Sequence, residues 1–377
     1  FYSYMKKSTA FIGAILSLLP IGQAFLIKTS VVLPTAGFIL PIPQKAIAES
    51  AEFYNESGFK KIENGDFDGA ISDFTKALKL NPKYADGYYY RGLSQGRLGN
   101  YQEAIDDYTK AIELHPKVIA PYIDRAKSKE GLKDYQGAIS DYTKVIELIP
   151  KASGPYFSRA KSKEGLKDYQ GAIDDLTKAI KLNPNERYFF YRGLVKYAMN
   201  DYLGSISDYS KLIKMKSIEF YGDSYLGRCM AKEKLKMYQG ALEDCSRAIE
   251  SNPKVFHYFS IRATVNDKLK DYKGAIKDYS KALEINPENS TILARRGYLK
   301  GIVFNDYSGA IEDFTKAIKL NPIFLESYFN RGIAKQRLGK MKEACLDWNK
   351  AYSLTEIQFP NHPKTSAINQ AIKKSCE

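Results

Sequence analysis

The chain has 377 residues, with 57 lysines and arginines against 43 aspartates and glutamates and a formal net charge of +14. It is too long for one ordinary hydrophobic core, yet no linker rich in Pro, Gly or Ser divides it after residue 50. Its four cysteines lack zinc-type spacing, no glycine-rich phosphate loop stands out, and His115, His257 and His362 have no companion acid or nucleophile at a useful spacing. These features argue against an enzyme, and no cofactor or metal is expected.

Residues 1 to 48 hold no acidic residue. After Met5, Lys6 and Lys7 comes the apolar run Phe11 to Pro20, then a second run broken by Lys28, Pro34, Pro41 and Pro43. A basic start, an apolar stretch and a small-x-small exit at Ala46-Ile47-Ala48 describe a secretory signal peptide, with cleavage before Glu49. The alternatives are an uncleaved anchor over Phe11 to Ile27, short against the roughly 20 apolar residues that span a bilayer, or a true start at Met5. Export to a periplasm or thylakoid lumen is expected, with membrane attachment only through this segment.

From residue 49 to 354 the chain is built on one unit, best seen between Ala85 and Val118. In its first half, Tyr88, Gly92 and Gln95 recur at the spacing of one helical face; in its second half, Ala104, Ile105, Tyr108, Ala111 and Ile112 form a wider apolar stripe. Gly99 and Asn100 supply the turn between the two helices, and Pro116 after His115 ends the second. Copies begin at Ala51, Ala85, Ile119, Ser153, Glu186, Gly222, Phe256, Ser290 and Leu325. The position of Ala104 is met by Ala70, Ala138, Ala172, Ala241, Ala275, Ala310 and Ala344, with Ser205 the departure. Prolines recur as Pro82, Pro116, Pro150, Pro184, Pro253, Pro287 and Pro322. Neither helix can bury its apolar side alone, so stacking of successive units resolves the length problem.

This pattern, Tyr88, Gly92, Tyr101, Ala104, Tyr108, Ala111 and Pro116, resembles the tetratricopeptide repeat. The resemblance implies an all-α fold: a right-handed superhelical solenoid of nine helix-turn-helix repeats, with a C-terminal capping helix in residues 355–377. The third and fourth copies are almost the same text from Arg125 and from Arg159, as after a recent duplication. Met215 to Tyr221 carries two extra residues and lacks the Asn-Pro stop, so a bend is expected there; one extra residue near Val303 and Phe304 is expected to lengthen the eighth turn.

Charge follows the repeat. Arg91, Arg125, Arg159, Arg192, Arg228, Arg262, Arg296 and Arg331 lie close to the apolar face, and the second helices contribute Asp73, Asp107, Asp141, Asp175, Asp208, Asp244, Asp278, Asp313 and Asp347. An unpaired arginine there is costly, so a ladder of Arg–Asp pairs is expected; the alternative is solvated heads on packed stems.

In the family resembled, residues second, fifth, ninth and twelfth in each repeat line a concave groove. Here that stripe includes Tyr89, Lys127, Phe157, Lys161, Arg187, Phe190 and Tyr197, a set suited to an extended partner segment with apolar and acidic groups. The alternative is that Tyr89, Phe157 and Phe190 pack against the next repeat. Repeats that grip chaperone C-termini pair a fifth-position Lys with a ninth-position Asn, and no copy here has that pair. Nucleic acid is not expected as a partner, since no reader motif appears.

Cys229 and Cys245 replace the close-contact residue and the aromatic of the sixth copy, and two buried thiols are expected in preference to a bridge. Cys345 points toward whatever follows the ninth copy. With Cys376 near the terminus, and an ending that resembles exported repeat proteins of cyanobacterial type, a Cys345–Cys376 disulfide pinning the cap is expected. The functional expectation is a non-catalytic interaction scaffold; the alternative is a recognition subunit for an enzyme or transporter acting on polymers such as glycan.

Overall fold

The computed structural model describes residues 50–216 and 219–358, together with Ile372 and Cys376. The expected leader, residues 217 and 218 where a bend was anticipated, and most of the expected cap lie outside the described residues. Among the described residues there are eighteen α-helices and no strand. They run as α1 (Ala51–Glu63), α2 (Phe67–Leu80), α3 (Ala85–Leu98), α4 (Tyr101–Leu114), α5 (Ile119–Gly131), α6 (Tyr135–Leu148), α7 (Ser153–Gly165), α8 (Tyr169–Leu182) and α9 (Glu186–Ala198). They continue as α10 (Tyr202–Met215), α11 (Tyr221–Lys234), α12 (Tyr238–Ser251), α13 (Phe256–Lys268), α14 (Tyr272–Ile285), α15 (Ser290–Tyr298), α16 (Tyr307–Leu320), α17 (Leu325–Arg337) and α18 (Met341–Gln358). The chain divides into two compact units, residues 1–200 and 201–377. That boundary falls between α9 and α10, so the fifth repeat gives one helix to each unit. Within each unit every helix packs on the next, and α1 touches α3 as α3 touches α5.

The repeating core follows from residue size. Ala70, Ala104, Ala138, Ala172, Ala241, Ala275, Ala310 and Ala344 are fully buried where the two helices of a pair cross, and Ser205, at the same position of the fifth copy, is fully buried too. A side chain on Gly92 would meet the Tyr108 ring at 3.0 Å and the Ala104 carbonyl at 3.2 Å, so the aromatic needs the glycine opposite it. The fifteenth residue of every copy but the eighth adopts the left-handed conformation, and in the eighth, one residue longer, it is the sixteenth: Gly65, Gly99 and Gly339 do so freely, and Lys133, Lys167, Asn200, Lys236, Lys270 and Asn305 against steric resistance. The next residue then caps the second helix. Asp66, Asp134, Asp168, Asp201, Asp271 and Asp306 each accept, through the side chain, the backbone N–H of a glycine three residues on.

Two expectations are corrected. The extra residue of the eighth copy is not taken up by its turn; it lies within the helix as a π-helical turn, Leu299–Val303, with the Phe304 N–H bonded to the Leu299 carbonyl. Absorbing it there keeps Arg296 and Lys300 in phase with Asp313. Cys229 and Cys245 are not two thiols but a disulfide, with Cα atoms 5.5 Å apart. The reason is the same small-to-large contact seen at Gly92 and Tyr108: the two positions face each other at the closest approach of the pair, and both sulfurs are fully buried. Cys345 and Cys376 are also bridged, Cα to Cα 5.8 Å, and Ile372 joins the cluster of Leu325, Ala351 and Leu354.

Candidate partner-binding groove

The site rests on a rigid frame of charge. In seven repeats the arginine of the first helix holds the aspartate of the second bidentately, as in Arg91 Nε to Asp107 Oδ2 at 2.8 Å and Nη2 to Oδ1 at 2.7 Å. The third donor edge reaches back to the previous repeat, Arg91 Nη1 to the Thr75 hydroxyl at 3.2 Å and Arg125 Nη1 to Thr109 at 2.9 Å. Each guanidinium therefore ties three helices, and all but Arg296, which has Leu293 there, lie over the ring three residues before them, 5.7 Å from the Tyr88 centroid for Arg91. A lysine at the eleventh position adds a second cation where Lys129, Lys163, Lys232, Lys300 and Lys335 reach the same aspartate, and in the first copy, which has Ser57 in the arginine's place, Lys61 reaches Asp73. Sequence reasoning missed the Thr and Ser hydroxyls and these lysines. Their recurrence at a fixed offset is the signal that could have found them.

With the arginines committed inward, the opposite face of α1, α3, α5 and α7 is left open, whereas α9 buries Tyr191 and Leu194 there, and the register of this face differs from the expected one. Positions two, six, nine and thirteen share the outer face at about 100° per residue, whereas positions five and twelve turn into the contact with the next repeat. Phe190, at position five of α9, is 1% exposed and offers nothing to a partner. Tyr89 is half-buried, donates its hydroxyl to Asp124 Oδ2 at 3.0 Å, and is pushed to a higher pKa by burial and by that carboxylate. Glu130, at position twelve, accepts from the Ser162 hydroxyl of the following repeat at 2.6 Å, and Glu164 accepts from the Tyr191 hydroxyl at 3.2 Å. Lys127 and Lys161 are exposed, and Lys127 pairs with Asp124 at 2.8 Å. Tyr197 is half-buried near the end of α9.

Two of the expected residues, Phe157 and Arg187, do come together. They line a cavity of about 500 Å³ with Ile123, Tyr142, Gly154, Pro155, Ser158, Asn185 and Tyr188. Three first helices, α5, α7 and α9, supply most of its wall. The Phe157 ring is wedged against Tyr188 at 5.1 Å and Tyr191 at 5.5 Å. Tyr188 exchanges a hydrogen bond with Ser153 at 3.1 Å, and Asn185 caps the Arg187 N–H at 2.9 Å. Burial pushes the Tyr142 phenol to a higher pKa, with Glu130 acting in the same direction, so it stays protonated. A side chain added at Gly154 would meet nothing within 4 Å, so the cavity is open above that glycine. The arrangement offers an apolar floor, a cation on one wall and several hydroxyl and amide groups, suited to an extended segment with an apolar and an acidic side chain. Among the described residues no group of His, Cys, Asp or Glu is placed to hold a metal ion, and no helix is long and apolar enough to cross a membrane.

Helix pairs of this size, with alanine at the crossing and a small-to-aromatic contact beside it, define a class of stacked helical repeats. Models of the tetratricopeptide repeat match residues 85–118, 259–289 and 154–186, and a TPR repeat model matches residues 60–99. The chain thus carries tetratricopeptide repeats. No curated protein matches it. Among solved structures, the C-terminal part of a TPR repeat-containing protein from Cytophaga hutchinsonii is 17% identical, with a TM-score of 0.55, over 64% of this chain and 98% of that one. MamA from Desulfovibrio magneticus RS-1 is 18% identical over 44% of this chain and 94% of its own, with a TM-score of 0.42. YrrB, described as a TPR protein with an unusual peptide-binding site, is 17% identical over 62% and 97%, with a TM-score of 0.36. At 17% identity the likeness to the Cytophaga hutchinsonii structure is one of fold.

Proposed function

We propose that this protein is a non-catalytic interaction scaffold that holds an extended segment of another protein along the first-helix face of its first unit. The observation that carries this reading is the cavity under Gly154, where Phe157, Ile123 and Arg187 converge from three helices. Its contents match what a peptide anchor needs: an apolar side chain fills the floor, and a neighbouring carboxylate meets the Arg187 wall. The repeat frame supports the same reading, because its charged groups are spent on holding helices together rather than arranged for chemistry.

The partner belongs to an exported or membrane-associated complex. Two disulfides, Cys229–Cys245 and Cys345–Cys376, suit an oxidising compartment, and the basic, apolar leader suits delivery to one.

The test is to fill the cavity without disturbing the frame. Gly154→Trp projects a large ring into open space, and Lys110→Trp, on an exposed second-helix position, serves as control. Cross-linking in the native envelope should yield a partner with the wild type and the control, and none with Gly154→Trp. Undiminished capture by the filled variant, with the cross-links mapping elsewhere, sinks the reading.

A further inference from the structure

Along the outer face of the first unit the charge changes sign. At positions two, six and nine, α1 reads Glu52, Glu56 and Phe59, and α3 reads Asp86, Tyr90 and Leu93. The same register on α7 reads Gly154, Ser158 and Lys161, and α9 begins it with Arg187. Between them, on α5, Asp124 and Lys127 cancel each other in an ion pair at 2.8 Å.

The acidic end is a real concentration in a chain whose net charge is +14. Glu52, Glu56 and Asp86 are exposed, and none forms an ion pair with a described residue. They lie close together: after burial, Asp86, Glu52 and Glu56 all act to raise the pKa of the single Tyr84 phenol. Helix dipoles favour an acid in the first turn, which covers Glu52 and Asp86. Yet the same register holds Ala120, Gly154 and Arg187 in the next three copies, so the position does not demand one, and Glu56 lies beyond the first turn. Beside these acids, Phe59 and Tyr90 are half-buried with ring centroids 4.1 Å apart, leaving π surface next to negative charge. Carboxylates beside aromatic rings suit an ammonium or guanidinium group. At the other end Lys161 is exposed and Arg187 lines the cavity, a setting that suits a carboxylate.

We infer that the groove is polar from end to end, and that its occupant is an extended peptide segment with a basic side chain at the α1–α3 end and an acidic one at the α7–α9 end. This deepens the scaffold reading and rests on it. Charge complementarity then sets the direction in which the segment lies, while the apolar anchor in the cavity sets its register. First helices packed about 8–10 Å apart put the two ends, three repeat steps from each other, at roughly 27 Å, which about eight extended residues span.

The experiment uses the full chain and three fluorescent peptides of equal length with an apolar centre. One carries Lys and Glu at opposite ends about eight residues apart, one Lys at both ends, one Glu at both. The mixed peptide should bind tightest. A benzophenone beside its Lys should cross-link to residues 51–98, and one beside its Glu to residues 153–198. Neutralising the acidic end with Glu52→Gln, Glu56→Gln and Asp86→Asn should weaken the mixed peptide about tenfold, as expected for losing a few exposed ion pairs. Binding with the ends exchanged or scrambled, or equal affinity for all three peptides, overturns the polarity and leaves the scaffold reading standing. Failure of all three to bind overturns both.

Discussion

Arg125 and Asp141 hold each other through two parallel hydrogen bonds, Nε to Oδ2 at 3.0 Å and Nη2 to Oδ1 at 2.6 Å, while the third edge of the guanidinium reaches Thr109. The aspartate is almost completely buried and the arginine nearly so. Lys129 holds the same carboxylate at 2.9 Å, so it is removal of the aspartate that strands charge, leaving two cations without it. Asp141→Ala should cost about 3 kcal/mol of stability, and Asp141→Leu combined with Arg125→Met and Lys129→Met should cost less than the single change. Urea unfolding of the wild type and the two variants decides it; a triple variant weaker than the single one would contradict the argument.

The second copy breaks the pattern of paired cations. Where every other repeat but the seventh, which has Asn266, carries a lysine, it carries Gln95, whose side-chain oxygen is buried without a partner. Burial holds Asp107 above the usual carboxylate range, with Arg91 only partly offsetting it, whereas the hydrogen bonds and charge of Lys61, with Ser57, overcome burial and bring Asp73 below its ordinary value. The signs are opposite. A raised carboxyl favours the folded state most below its unfolded pKa, and that contribution disappears as pH climbs through the folded pKa. A lowered one stabilises above its unfolded pKa and stops doing so as pH falls through the folded pKa. Carboxyl carbon NMR should show Asp107 titrating at higher pH than Asp73. Gln95→Lys should lower the Asp107 value and add about 1–2 kcal/mol at neutral pH; an unchanged Asp107 titration would count against the missing cation as the cause.

Cys229 and Cys245 close a short loop between α11 and α12 at separation 16. Reduction should cost about 3 kcal/mol, visible as a lower midpoint of thermal unfolding. Because the bridge replaces a glycine-to-tyrosine contact, Cys229→Gly with Cys245→Tyr should recover most of that loss and make the sixth repeat indifferent to reductant. Cys345–Cys376, at separation 31, should contribute roughly 4 kcal/mol. If the Gly and Tyr pair is no more stable than Cys229→Ala with Cys245→Ala, the equivalence of the two contacts fails.

Met237 occupies the N-cap of α12, exposed and without a side-chain hydrogen bond, yet Gly240 lies three residues on as in the capped repeats. Met237→Asp should therefore place a carboxylate oxygen on the Gly240 N–H, as Asp134 does on Gly137 at 2.9 Å. The gain should be about 1 kcal/mol, read by denaturant unfolding. Protection of the Gly240 amide against hydrogen exchange should rise with it, and no change in protection would refute the cap.

The repeat was legible because one local pattern is written nine times. Alanine at the crossing, proline after the second helix and a periodic apolar stripe each follow from helix geometry alone, and neighbouring residues suffice to express them. The Arg–Asp pairing could also be read, since a charge beside an apolar face demands a partner of opposite sign. Other features depend on how one hairpin leans on the next. That tilt turned Phe190 and Glu164 inward and, in the first four copies, left positions two, six, nine and thirteen on the outer face, a rotation that spacing along one helix cannot reveal. It also brought Ile123, Gly154, Phe157 and Arg187, far apart in the chain, around one cavity, whereas the Cys229–Cys245 bridge was decided by how closely the two helices of the sixth pair cross. Periodicity assigns a face to every side chain, but only packing between repeats says whether that face is covered.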